Sequence, residues 1–462
     1  MVIQNQKIME VFKMSFIEKE LCTNEDSSKK AMQITMEISK CLSQAGINTS
    51  YAFPLIPYLL HKVSQYNNPL EITLQEIFDG KIKVDNGLLL LAKNMLNEKL
   101  WKSLLQLITK YSVEEFAFTA ISTVPDNDPI DVVTPTSIIN LVHKLLNVKA
   151  GEKVADVCCG KGTYIVSAAL EESKAHYHGY EISMANRAVA IIKADLLGLD
   201  IEVTLCNVFS FVESGVKSGN MPKYDKIFAN YPFGQKIKNL ELDVNCLESL
   251  FKQNFIVSKA TSSDWVFNAL LCDMLTEKGK AIGIMTTGST VNSIDIPMRK
   301  YFIENKLIES VIILPGKLFG STSISTTLIV FSHNNESVRL IDATMHYQQG
   351  RRQNELSDEN INTIIDALTT NYEYSKTFSI EELRNNEYKL NLSCYTAVDL
   401  KFQNGVPFES IIKSISRGAP CTASQLDKMI SDDATNMQYL MLANIQDGII
   451  DKNLPYLSYI DS

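Results

Sequence analysis

Between about Lys153 and Ile341 the chain alternates short apolar runs, "KVADVCC", "HYHGY", "IEVTLC", "KIFA", "KAIGIM", "ESVIIL" and "TTLIVF", with segments of helical period. Strands this short and apolar must be covered on both faces, and the helices between them supply the cover. The pattern predicts a doubly wound, mainly parallel α/β sheet. Only "PGKLFGSTSIS" joins the last two runs, too little chain for a helical crossover, so these two strands are expected to pair antiparallel. The helix "SSDWVFNALLCDMLTEKG" has Ser263 and Asp264 as start candidates and Gly279 as a left-handed stop.

The flanks have a different period. From about Ile8 to Phe118 apolar residues recur at three and four, as in Leu89, Ala92, Leu96 and Leu100, which predicts a helical N-terminal domain over residues 1–125. Asp126, Asn127, Asp128 and Pro129 make a turn-rich boundary, and Thr134-Pro135-Thr136 is a cap signal before the helix "SIINLVHKLLN". The α/β domain is assigned residues 126–345, a helical extension residues 346–400 and a further, partial unit residues 401–462.

With 45% hydrophobic and 21% charged residues, the 462-residue chain has enough apolar content for a sizeable core. Nine cysteines with no C-x-x-C pair are read as reduced thiols in the cytoplasm, and adjacent Cys158 and Cys159 as small apolar strand residues. No segment reaches the roughly 18 consecutive apolar residues of a membrane span, and the first residues lack an export signal. A net charge of -9 confines phosphate contacts to local patches or a partner chain. The local candidates are Lys236 with Lys238 and Arg351 with Arg352. His176 and His178 alternate on one strand without cysteine or carboxylate company, so no metal site is expected.

Two motifs carry chemistry. In "KVADVCCGKGTYIVSAALE" a strand ending near Asp156 runs into Gly160-x-Gly162 and then a helix. Glycines admit a cofactor close to the backbone, and about 20 residues later Glu181 ends the next strand, where an acid can accept both hydroxyls of a ribose. The third glycine of a dinucleotide loop is missing, as is a phosphate loop. S-adenosylmethionine, an adenosine with an amino-acid tail and no phosphate, fits better than a pyrophosphate cofactor. The alternative is that the glycines form only a tight turn and Glu181 is a solvated acid.

The second motif is Asn230-Tyr231-Pro232-Phe233, at the end of the fourth strand. In an open α/β sheet it faces the same crevice as the glycines. An amide oxygen and a neighbouring carbonyl can accept both hydrogens of a flat amino group, such as that of adenine. Phe233 can stack on a base swung out of the duplex. Taken singly, Asn230 suits a turn, Tyr231 a surface and Phe233 a core.

These residues resemble the adenine-specific DNA methyltransferases, in particular the modification subunits of type I restriction systems, over about Thr134 to Tyr395. "DVCCGKGT" looks like the family's D-P-x-C-G-[ST]-G-G loop, "NYPFG" like N-P-P-F, and "MRKYFIENKLIESVIILPGKLFGSTSISTTLIVF" is similar to its L-P-x-x-L-F-x-x-T-x-I-x-T region. The resemblance implies a seven-stranded class I methyltransferase core, S-adenosylmethionine and a flipped adenine. It assigns Asp156, Gly160 and Gly162 to the cofactor's methionine end, Glu181 to its ribose, Thr134 and Pro135 to its far side, and Asn207 to its adenine. Asn230, Tyr231, Pro232 and Phe233 receive the catalytic role.

Asn207 stands where the family usually has an acid. Tyr231 replaces a proline, which keeps the carbonyl, removes a rigid φ and adds bulk beside the pocket. "EELRNNEYKLNLSCY" resembles the family's closing motif, and "ISRGAP" through "LANIQDGIID" the opening of a specificity-type target-recognition domain. The implied partners are double-stranded DNA, a specificity subunit and a restriction subunit. The rival readings are methylation of a protein glutamine or an RNA base, and a non-catalytic DNA-binding assembly subunit.

Overall fold

The alternating runs assemble into one nine-stranded sheet in a computed structural model. It describes residues 25–47, 53–122, 133–211, 221–237, 260–319, 325–351 and 353–396, and short stretches between 406 and 458. The strands are β1 (Lys153–Val157), β2 (His176–Glu181), β3 (Ile201–Leu205), β4 (Tyr224–Ala229), β5 (Leu275–Thr286), β6 (Ile308–Ile313), β7 (Thr326–Phe331), β8 (Ser337–Asp342) and β9 (Ser375–Ser379). Their spatial order is β3-β2-β1-β4-β5-β7-β6-β8-β9. β6 and β7 pair antiparallel, as the short connection requires.

The first seven strands make the expected core. β8 and β9 extend it, and β9 is a strand inside residues 346–400, the segment read from sequence as a helical extension. Its "SKTFS" is short and polar at every position but Phe378, so only pairing with β8 reveals it.

Among the described residues, the N-terminal group of α-helices is α1 (Glu25–Gln44), α2 (Leu55–Ser64), α3 (Leu74–Phe78), α4 (Asn86–Met95), α5 (Glu98–Leu105) and α6 (Val113–Ser122). The apolar repeat from Leu89 to Leu100 is split between α4 and α5, because Asn97 accepts the Leu100 N–H and starts a new helix. α7 (Thr136–Leu146) leads into β1; interleaved with the strands are α8 (Thr163–Glu171), α9 (Met184–Leu196), α10 (Asp264–Asp273), α11 (Ile296–Glu304) and α12 (Asp358–Asp366), and α13 (Ile380–Asn385) and α14 (Ser393–Thr396) follow β9. α10 stops earlier than its sequence suggests. Leu275 already pairs with Tyr224, so Gly279 lies within β5 and is no left-handed helix stop.

Strand alternation sorts the core into two faces. Val154, Phe228, Ile282 and Ile284 pack with α7, α8 and the N-terminal helices. Ala155, Val157, Ile227 and Ala229 pack with α10 and α11. The N-terminal helices also grip α9: Arg187 pairs with Asp85 at 2.9 Å, and Tyr58 and Lys62 both donate to Asp195.

By its internal contacts the chain divides into Met1–Ala397 and Val398–Ser462. In the second unit Ile430–Ser431 pairs with Tyr456–Leu457, and Ile445–Gln446 with Ile449–Ile450. About half of the target-recognition-like segment, its opening residues 415–424 included, lies outside the described residues, as do residues 1–24 and 123–132.

Arg299 on α11 fastens the segment after α13 to the sheet. Fully buried, it donates to the carbonyls of Tyr388 at 2.9 Å, Ser289 at 3.1 Å and Asn292 at 2.8 Å. Burial pulls its pKa down to about 10. Arg299→Leu strands these carbonyls and is expected to cost about 3 kcal/mol or more, measured by urea denaturation.

Candidate active site

β2, β1 and β4 are parallel neighbours in register, with Asp156 opposite both Gly179 and Phe228. Their C-terminal ends are therefore level, at the point where strand order reverses and the connections leave to opposite sides. A crevice is expected there. A cavity of about 390 Å³ occupies it, lined among others by Thr134, Asp156, Gly160, Glu181, Asn207, Asn230, Tyr231 and Pro232.

The turn from β1 to α8 is left-handed at Cys158 (φ 68°), Gly160 (φ 54°) and Gly162 (φ 75°). Cys158 is thus a turn residue on the cavity wall, not a strand residue, and burial raises its thiol pKa. Cys159 is buried against Gly179, where a Cβ would lie 2.9 Å from its sulfur.

The two glycines do different things. A Cβ on Gly160 would meet nothing within 4 Å, so its backbone stands open. A Cβ on Gly162 would lie 2.9 Å from the Cβ of Ala190, so this residue lets α8 pack on α9 and does not line the cavity.

Glu181 is 6% exposed and accepts from the N–H of Gly160 at 2.8 Å and of Ser183 at 2.6 Å. The acid thus ties the glycine turn to the β2 loop. Asp156 is 2% exposed, and burial followed by the Glu181 charge pushes its pKa well up. Asn207 accepts from the Phe209 N–H at 3.0 Å.

The cap signal resolves differently from its reading. Pro135 is the N-cap of α7 with no side-chain cap bond, and it lies outside the cavity lining. Thr134 instead accepts the Asn230 Nδ2 hydrogen at 2.9 Å.

Tyr231 does not crowd the pocket with its side chain. The residue is 1% exposed, its ring stacks on Phe267 at 4.6 Å and 6°, and its hydroxyl donates to Asn268 at 2.8 Å. Pro232 is exposed. Phe233 is half-buried, sits edge-on to Phe319 at 5.7 Å and lies outside the cavity lining.

Sequence reasoning missed Ile182, which lines the cavity yet is 68% exposed, and Phe209, Phe267 and Asn186. Only Ile182 had a signal, an apolar residue directly after a strand-end acid. Lys236 and Arg351 are exposed, while Lys238 and Arg352 lie outside the described residues. So does most of the loop after Phe233, which leaves from a neck where Ile237 donates to Thr261 at 3.0 Å and Ser263 to Gln235 at 3.0 Å. His178 bonds to Thr204 at 2.8 Å and stacks on Tyr180. Among the described residues no cluster of histidine, cysteine and carboxylate side chains suits a metal ion.

The N-6 DNA Methylase family matches residues 115–401, well over half the chain. The chain belongs to this family. It is 27% identical over 293 residues to the type I restriction enzyme MjaVII methylase subunit of Methanocaldococcus jannaschii, covering 57% of this chain and 49% of that protein. It is 23% identical over 287 residues to the MpnII methylase subunit of Mycoplasma pneumoniae, covering 57% and 52%. The chain spans about half the length of the curated relatives it matches.

The crystal structure of a type I restriction-modification methyltransferase subunit from Streptococcus thermophilus superposes with a TM-score of 0.63 at 16% identity, over 80% of this chain and 99% of that one. A modification subunit of a putative type I enzyme from Vibrio vulnificus gives 0.59 at 14%, over 77% and 93%. The chain shares the fold of these two methyltransferase subunits.

The contrast between the glycines is testable. Gly160→Ala is expected to cost about 1 kcal/mol, the left-handed backbone alone. Gly162→Ala should cost more, since its methyl also overlaps Ala190. Thermal melting of the two variants checks the order.

Proposed function

We propose that this N-6 DNA methylase transfers a methyl group from S-adenosylmethionine to the 6-amino group of an adenine flipped out of double-stranded DNA, as the modification subunit of a type I-like restriction system. One observation carries the reading: the Gly160 turn, Glu181 and the Asn230 loop line the same cavity.

The residues present fit the donor. Gly160 leaves the backbone open, the Glu181 carboxylate suits a ribose diol, and exposed Ile182 offers an apolar face to a purine. Asp156 suits the cationic amino-acid end, with Gly162 shaping the turn. Asn207 serves the purine and Thr134 the far wall, while Pro135 acts only as the N-cap of α7. When bound, the donor supplies an electrophilic methyl group on a sulfonium.

The protein's part is to make the amino nitrogen a nucleophile. Asn230 Oδ1 and the Tyr231 carbonyl accept its two hydrogens, which draws the nitrogen toward a tetrahedral shape and frees its lone pair. Asn230 orients the amino group and accepts its hydrogen bond. As the N–C bond forms, the S–C bond breaks to leave a neutral thioether, and the amino proton is lost to solvent during or after attack, since an amide is no useful base near neutral pH. The 2.9 Å bond from Asn230 Nδ2 to the Thr134 hydroxyl fixes which way the amide is turned, with its nitrogen toward Thr134. Pro232 closes the turn, and Phe233 gives the extruded base a stacking surface.

Sequence reading is assigned to a specificity subunit, whose opening residues 401–462 resemble, and cleavage to a restriction subunit. The assigned compartment is the cytoplasm; no described helix is long and apolar enough to cross a membrane.

With labelled donor and unmethylated genomic DNA, with and without a specificity subunit, label is expected in N6-methyladenine. Asn230→Ala should lower transfer about 100-fold or more. Donor binding without transfer under every pairing would overturn the reading in favour of an assembly subunit or another substrate.

A pH effect follows from Asp156. Its raised pKa means that a cationic donor must displace a proton as the solution turns acidic. Donor affinity is expected to fall as pH drops through that raised pKa, and Asp156→Asn to flatten this limb. Calorimetric titration of the donor over a series of pH values measures it.

A further inference from the structure

The Asn230 loop is held from below by one helix. Asp264 and Asn268 stand four residues apart on α10, hence on one face, and both are fully buried. Asn268 Oδ1 accepts the Tyr231 hydroxyl at 2.8 Å. Asp264 Oδ1 accepts the Gly234 N–H at 2.9 Å, and its Oδ2 accepts both the N–H and the hydroxyl of Thr286 at 3.0 Å. One side chain therefore grips the loop just after Asn230, and the other grips its exit and ties it to the end of β5.

The surroundings are shaped for this grip. Gly283 on β5 leaves the room that the tyrosine needs: a Cβ there would lie 2.4 Å from Asn268 Oδ1 and 3.2 Å from the Tyr231 hydroxyl. Gly234 has φ 78°, and a Cβ on it would come within 3.2 Å of the Thr286 methyl. The Asn268 amide is aimed by its other end, where Nδ2 approaches the Met285 sulfur at 3.7 Å.

We propose that Asn268 and Asp264 are positioning residues for methyl transfer, setting the place of the Tyr231 carbonyl and of the turn at Phe233 and Gly234. The tyrosine, pinned at its hydroxyl, restores the rigidity that the family's proline provides through a fixed φ. The inference rests on the transfer reading above. A buried polar group left without its partner is costly, so loop and helix are expected to act as one unit.

The test uses the full chain with its transfer assay and compares Tyr231→Phe, Asn268→Leu, their double variant and Asp264→Asn. Each single variant is expected to lower kcat about 10- to 100-fold while donor affinity is unchanged. The double variant should be no worse than the worse single one. Amide exchange in a peptide covering the loop should quicken in parallel.

Unchanged kcat and unchanged exchange in a normally melting Tyr231→Phe overturn the proposal, as does a loss that merely tracks stability or adds across the double variant. If Asp264→Asn does not fold, Tyr231→Phe carries the test alone. If the unaltered chain transfers no methyl group, the transfer reading fails, and amide exchange still decides whether the pair holds the loop.

Discussion

β1 and β4 are far apart in the chain, yet they hydrogen-bond in parallel with Asp156 opposite Phe228. This pairing sets the rest of the site. It brings two strand ends to the same level while the chain leaves them in different directions, so a crevice opens between the departing segments. The glycine turn enters from one strand and Asn230 from the other. A donor pocket and an acceptor loop then share one cavity without any long-range adjustment.

Within that frame the loops are tied by small numbers of directed bonds. Glu181 joins the glycine turn to the β2 loop through two backbone N–H groups. Thr134, at the entry to α7, holds the Asn230 amide. Asp264 and Asn268 hold the loop that follows. Burial raises the pKa of Asp264, and the hydrogen bonds from Thr286 and Gly234 pull it back. A carboxylate in so dry a place is tolerable because it is surrounded by donors. The same donors make it a junction between loop, helix and sheet.

Much of this was legible in the chain, for reasons that differ by element. The strands were visible because a sheet covered on both faces demands apolar runs, and "TTLIVF" is buried at every position. The antiparallel pairing of β6 and β7 followed from the shortness of their connection. β9 was not visible, because an edge strand needs little apolar character. Gly279 misled for a related reason: the sheet takes up the chain at Leu275 before the glycine can end a helix. Cys158 looked like a strand residue because apolar character says nothing about the sign of φ.

The sequence by itself determined the fold class, the family and the residue types that line the crevice, since periodicity and short motifs are local properties of the chain. Only the tertiary structure decided how those residues divide their work. Gly160 faces the cavity and Gly162 a helix. Thr134 meets Asn230 across 96 residues, and Tyr231 meets Asn268 across 37. Such partners depend on which strands become neighbours and which faces their helices turn inward, and no local pattern encodes that.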